Sequence, residues 1–179
     1  MTIVFLGGSR HVKTVHEMVL ARLERMVLQQ LRIVVGDAPG ADSALQATLA
    51  ARRYQHVEVF FTGKSPRNNV GAWPTRVVRT TERPGTAAFH SAKDRALAQM
   101  STVGLMVWDG KSAGTVANAG RLVSLGKVCV VFLQPEERFV EVRTPADLED
   151  LVAQSPAETQ LEFRRRMRAE LPAETAALL

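Results

Sequence analysis

The sequence predicts an α/β protein: a Rossmann-like, doubly wound fold with a mainly parallel sheet of five or slightly more strands and helices on both faces. Three observations carry this. Short Val/Ile/Leu runs alternate with amphipathic stretches. The runs are apolar throughout rather than at every second residue, as strands covered on both faces are. Glycine-containing turns follow three of those runs, at the sheet edge where open parallel sheets bind ligands.

The first strand is "TIVFL" (2–6), which ends in Gly-Gly. Residues 13–30 place Val15, Met18, Val19, Leu23, Met26 and Val27 at helical spacing. "LRIVVG" (31–36) is a second strand, 40–54 a second helix and "VEVFFTG" (57–63) a third strand. The irregular stretch 64–85 is rich in Pro, Gly, Asn and Arg, with room for a short strand at "RVVRT". Loops of that length inside compact domains are often functional. A helix over 87–101, a fourth core strand at 103–108, a helix over 114–125 and a fifth core strand at 127–133 complete a unit spanning 1–136. The extension 137–179 adds a short strand and two helices on the same domain. One helix opens at Thr144, with Pro145 at its first position and acids in its first turn.

A chain of 179 residues, 46% hydrophobic and 23% charged, suits one folded domain. Its single cysteine, Cys129, can form no internal disulfide. Inside "KVCVVFL" it reads as a buried, inert thiol, and a reducing cytoplasm fits. No apolar run approaches the roughly 18–20 residues that span a bilayer, so no membrane partner is expected. "MTIVFLGGSR" reads as a strand rather than a signal peptide. The net charge of +5 permits an anionic partner, yet the basic residues are scattered and aromatics are only 6%. The one dense run, "EFRRRMRAE" (162–170), is either a solvated helix face or a contact for nucleic acid or a partner.

The three turns are "LGGSRH", "VGDAPGADS" and "WDGKSAGTVA". They bring Gly7, Gly8, Ser9 and Arg10, then Gly36, Asp37, Gly40 and Asp42, then Asp109, Gly110, Ser112, Gly114 and Thr115 to one edge. Glycine permits close approach of backbone to ligand, and helix N-termini offer unpaired N–H groups that suit phosphate. Ser9, Ser112 and Thr115 add hydroxyls and Arg10 a forked cation. No turn matches G-x-G-x-x-G or ends in G-K-[S/T], which weighs against a standard NAD site and an NTPase. Asp42 is either a helix-start acid held by the dipole or a carboxylate for a ribose hydroxyl or a neighbouring loop. Asp37 and Asp109 do the same or make turns. Lys93, Asp94 and Arg95 lie on a helix that either faces the ligand edge or is solvated. His90 reads as a capping or surface residue, and no metal-site spacing occurs. Trp73, in the middle loop, either stacks on a base or packs in the core.

In their order, "GSR", "VVGDAPGADSALQ", Trp73, "AKDRALAQM" and "VGLMVWDGKSAGTVANAGRLVSLGKVCVVF" resemble the SLOG superfamily, above all its YspA-like branch, over residues 2–133. The superfamily also holds the Lonely Guy phosphoribohydrolases and the Smf/DprA proteins. The resemblance implies a Rossmann-like domain that binds a nucleoside monophosphate or ADP-ribose-type ligand, as sensors in bacterial stress and conflict systems do. Lonely Guy enzymes carry P-G-G-x-G-T-x-x-E and an arginine on the preceding helix. Here Gly114 and Thr115 match the G-T, Asn118 stands where the Glu would be, and the arginine position falls near Lys93, with Arg95 close by. Cleaving an N-glycosidic bond develops positive charge on the sugar, which a carboxylate stabilises and a neutral amide does not. The expectation is therefore a nucleotide-binding protein that needs no cofactor and pairs as a homodimer. The alternatives are an N-glycosidase using a displaced acid (Asp94, Asp109 or Asp37) and a DprA-like nucleic-acid binder.

Overall fold

A computed structural model describes residues 1–170. Seven strands form one sheet: β1 (Ile3–Gly8), β2 (Arg32–Gly36), β3 (Val57–Phe61), β4 (Thr75–Val77), β5 (Val103–Trp108), β6 (Val128–Leu133) and β7 (Arg138–Val142). Six helices accompany them: α1 (Glu17–Leu28), α2 (Ala41–Ala51), α3 (Ala87–Met100), α4 (Ala113–Ser124), α5 (Pro145–Ala153) and α6 (Ala157–Glu170). The strand order is β4-β3-β2-β1-β5-β6-β7. Every pairing is parallel except β6 with β7. This is a Rossmann-like, doubly wound α/β fold.

The five predicted core strands are all present, and both further strands are edges. β4 falls at Thr75–Val77, slightly before "RVVRT", and pairs with β3. β7 comes from the extension and returns from β6 through a single 3-10 turn, Gln134–Glu136. So short a return obliges it to run antiparallel. Residues 171–179 of the predicted extension lie outside the described residues.

Alternation along the strands sorts the core into two layers. Phe5, Val34, Phe60, Met106 and Val131 face the side of α3, α4, α5 and α6, where Leu97, Leu122, Leu151 and Phe163 meet them. Leu6, Ile33, Val35, Val59, Leu105 and Phe132 face α1 and α2, meeting Val19, Leu23, Leu45 and Leu49. Both faces of the central strands β1, β2, β5 and β6 are buried, which is why these strands lack polar residues at alternate positions. The extension adds Leu148, Leu151, Val152 and Phe163 to the same layer as α4.

One boundary differs in a way that bears on the site. α1 begins at Glu17 rather than residue 13, because the His16 ring takes the Met18 N–H at 3.2 Å and caps the helix there. β1 is therefore followed by a loop, not directly by a helix.

Candidate functional site

The strand order reverses at β1. The chain builds outward through β2 and β3 on one side, then through β5 and β6 on the other. Connections leaving in opposite directions open a crevice at the carboxyl ends of β1 and β5. A cavity of about 370 Å³ lies there.

The third turn forms one wall. Asp109 Oδ1 accepts the N–H groups of Lys111 (3.0 Å) and Ser112 (2.8 Å) and the Ser9 hydroxyl (2.9 Å). Ser112 caps α4, its Oγ accepting the Thr115 N–H at 3.4 Å and the Thr115 hydroxyl at 3.0 Å. Thr115 Oγ1 is also 3.2 Å from Ser9 Oγ. These three hydroxyls are largely committed to tying the first turn to the third. The first turn of α4, at Ala113 and Gly114, faces the cavity with amides that have no partner inside their own helix. Arg10, Lys111 and Arg166 line the cavity around it.

The first turn contributes less than expected. Gly8 and Arg10 line the cavity; Gly7 and Ser9 do not. Gly7 packs on Met106 and Phe5. Ser9 is wholly buried, and its N–H donates to Val107 O at 2.9 Å. A Cβ on Gly8 would lie 2.3 Å from Val107 O, so the close pairing of β1 with β5 requires glycine. No helix starts in this turn to receive a phosphate, since α1 opens later, where His16 stacks on Phe132 at 5.0 Å.

The second turn is closed, correcting its reading as a phosphate cradle. The Ala41 N–H at the start of α2 donates to Ser9 O at 3.0 Å. Gly40, at φ +84°, packs directly on the Arg10 main chain. Gly36, Asp37 and Gly40 are absent from the cavity wall; Ala38 and Asp42 are on it. Asp37 instead receives Arg67 as a fork, Nη2 to Oδ1 at 2.7 Å and Nε to Oδ2 at 3.0 Å. The Arg67 N–H adds a third bond at 3.0 Å. Burial opposes the Asp37 charge, but these bonds outweigh it and hold the carboxyl below its ordinary value. Asp37 anchors the loop after β3.

Asp42, Lys93, Asp94 and Asn118 meet at the cavity floor. Lys93 is 3% exposed and donates to Asp94 Oδ1 at 2.7 Å. Burial disfavours both charges, yet each is stabilised by the other, so Lys93 is pushed up and Asp94 down. Arg121, also buried, lies 4.0 Å from Asp94 Oδ2 and grips Glu170 of α6 through Nε (2.9 Å) and Nη2 (2.5 Å). Arg121 also donates to Asn118 Oδ1. Arginine has no acceptor, so the Asn118 oxygen must face it, leaving the amide NH₂ for the cavity.

Asp42 is the odd charge in this set. Its Oδ2 accepts the Ala38 N–H at 3.1 Å, while Oδ1 has no hydrogen-bond partner among the described residues. It is 6% exposed. Burial pushes its carboxyl up to about 6, and the nearby Lys93 offsets only part of that. Lys93 is already paired, so Asp42 is the carboxyl left for a ligand.

Three further predicted residues, besides Gly7, Ser9, Gly36, Asp37 and Gly40, lie off the cavity. Trp73 is a core residue, not a base stacker: it is 4% exposed and its indole N–H donates to Tyr54 O at 2.7 Å. Arg95 lines a neighbouring cavity, 3.5 Å from Glu170. Gly110 turns the chain at φ +78° beside Pro135.

His90, Lys111, Arg121 and Arg166 were not assigned to the site by sequence. His90 is half-buried: it lines the cavity, and its Nδ1 is shielded and unpartnered. Burial, then Arg67, Arg10 and Lys93, lower its pKa, so the ring is neutral near pH 7. Arg121 left a signal, a lone arginine on an otherwise apolar helix. Arg166 showed only as part of the basic run 162–170, and tertiary packing is what brings α6 to α4. Among the described residues no group of three or more His, Cys, Asp or Glu side chains converges on a metal position, and no described helix is long and apolar enough to cross a membrane. No family model, curated protein or solved structure matches the chain.

Proposed function

We propose that the cavity at the β1/β5 crevice binds a nucleotide or nucleotide-derived ligand of the nucleoside monophosphate or ADP-ribose type, and that the protein acts by holding it. One observation carries this reading: the start of α4, ringed by Arg10, Lys111 and Arg166, faces a cavity whose floor carries Asp42 and the Asn118 amide. The cationic side suits a phosphate. The floor suits the hydroxyls of a ribose, which donate to Asp42 and accept from Asn118. The resemblance to the SLOG superfamily favours the same ligand class. Proton NMR of the protein with nucleoside monophosphates, ADP-ribose and NAD tests it over hours. Saturation transfer to ligand signals without new signals is expected. No transfer to any of them would overturn the reading.

A second reading, hydrolysis of an N-glycosidic bond, is favoured by Asp42 rather than by Asp37, Asp94 or Asp109. Each of those three is bound by cations or turn amides. Asp42 alone combines a free oxygen with a carboxyl near 6, the range in which a group takes and returns a proton. In the same NMR tubes, free base accumulating with the wild type and not with Asp42→Asn would make the protein an enzyme.

A further inference from the structure

A second cavity, about 300 Å³, adjoins the first on the α6 side. The two share Ala87, Ser91 and Arg166 as common walls. Each alone is at or near the lower end of the roughly 300–1,000 Å³ usual for ligand sites, and joined they fall well inside that range.

Arg166 stands at the junction in an unusual state. Its Nε donates to Glu162 Oε1 at 2.8 Å. Neither terminal nitrogen has a hydrogen-bond partner among the described residues, and Nη1 lies 3.3 Å from where a Cβ on Gly114 would be. A guanidinium is thus held by one nitrogen against the positive end of α4, with its remaining donors unused. Glu162, shared with Arg165, is the anion beside it, and the terminal N–H groups of Arg166 remain open to an oxyanion. α6 is fixed there by the Thr159 hydroxyl donating to Lys111 O at 2.8 Å, by buried Phe163 and by the Glu170–Arg121 pair.

The second cavity has different chemistry. Its walls include Ala88, Ala169 and three carboxylates, Glu82, Glu162 and Glu170, with Arg95 and Arg165. Carboxylates there accept from hydroxyls, and the arginines donate to them.

Resting on the nucleotide reading above, we propose that the ligand has two lobes joined by a diphosphate. The nucleoside monophosphate half fills the β1/β5 cavity, the outer phosphate meets the free nitrogens of Arg166, and an outer ribosyl group fills the second cavity. Helix α6, outside the span that resembles SLOG proteins, thereby sets specificity for ADP-ribose-type ligands over mononucleotides.

Calorimetric titration of the full chain with AMP and with ADP-ribose tests this. The wild type is expected to bind ADP-ribose at least about tenfold more tightly than AMP, which corresponds to about 1.4 kcal/mol. Ala88→Phe, which fills only the second cavity, should abolish that preference and leave AMP binding intact. Arg166→Gln should weaken ADP-ribose more than AMP, with melting curves of both variants confirming that they fold. Equal wild-type affinities, or variants that weaken both probes alike, would overturn the proposal and leave the nucleotide reading standing. Binding of neither probe would overturn this proposal, and the nucleotide reading falls with it only if the other monophosphates and NAD are silent too.

Discussion

Asp42 is the residue on which the site turns, and its proton provides the sharpest check. The folded state binds that proton more tightly than the unfolded chain, because burial raises the carboxyl from 3.8 to about 6. Stability therefore falls as pH rises from 3.8 toward 6, through this group alone, and levels off above it. Asp37 and Asp94 act in a separate window: their lowered values add stability above 3.8 that is lost only as pH falls through their folded values. Asp42→Asn keeps an oxygen for the Ala38 N–H and removes the titration. Denaturant melts should show the variant gaining on the wild type between pH 4 and 6, by about 2–3 kcal/mol in all. A constant difference across that range would show that Asp42 does not titrate there. This carboxyl was legible in the sequence as a residue near a helix start. Its unpaired oxygen was not, because that depends on Lys93 being taken by Asp94.

Among the elements, α6 is the one whose role changes most between sequence and structure. As a run of arginines, 162–170 resembles a solvated face. Its glutamates account for the difference: Glu162 takes Arg165 and Arg166, and Glu170 takes Arg121. The Arg121 side chain is 4% exposed and the Glu170 side chain 15%. Removing one partner of so buried a pair leaves a stranded charge. Arg121→Met should cost about 3 kcal/mol, and Arg121→Met with Glu170→Leu should recover part of it, since the double variant leaves no unpaired Glu170 and only Asn118 Oδ1 loses its donor. Urea melts of the two variants decide this, and a double variant no better than the single would show that the packing of α6 does not rest on the pair. The glycine turns teach a similar lesson. All three were legible as glycine turns at strand ends. Only the third presents a helix start to the cavity, because Gly40 packs against Arg10 and α1 opens late.

For the whole molecule, doubly wound topology is what selects the crevice. Opposite crossovers at β1 bring Gly8 and Arg10 beside Asp109 and Ser112, which are about a hundred residues away in the chain. The homodimer expected from α1 belongs to this scale. Val19 and Leu23 of that helix are consumed by the core, which leaves Met18 and Leu28 exposed. If these two carry an interface, sedimentation should give twice the chain mass, and a mass near 19.6 kDa would show a monomer.

By itself the sequence determined the fold class, the order of the core strands and helices along the chain, and the sheet edge at which the glycine turns gather. Those follow from local pattern: continuous apolar runs, helical spacing and glycine at strand ends act within a few residues of one another. Tertiary structure decided which polar groups remain available. Ser9, Asp37 and Asp109 are consumed by partners between 2 and 106 positions away, Trp73 is absorbed into the core, and Arg166 is carried in from the last described helix. A buried polar group is satisfied by whatever the fold places beside it, and that pairing is written in no stretch of sequence short enough to read locally.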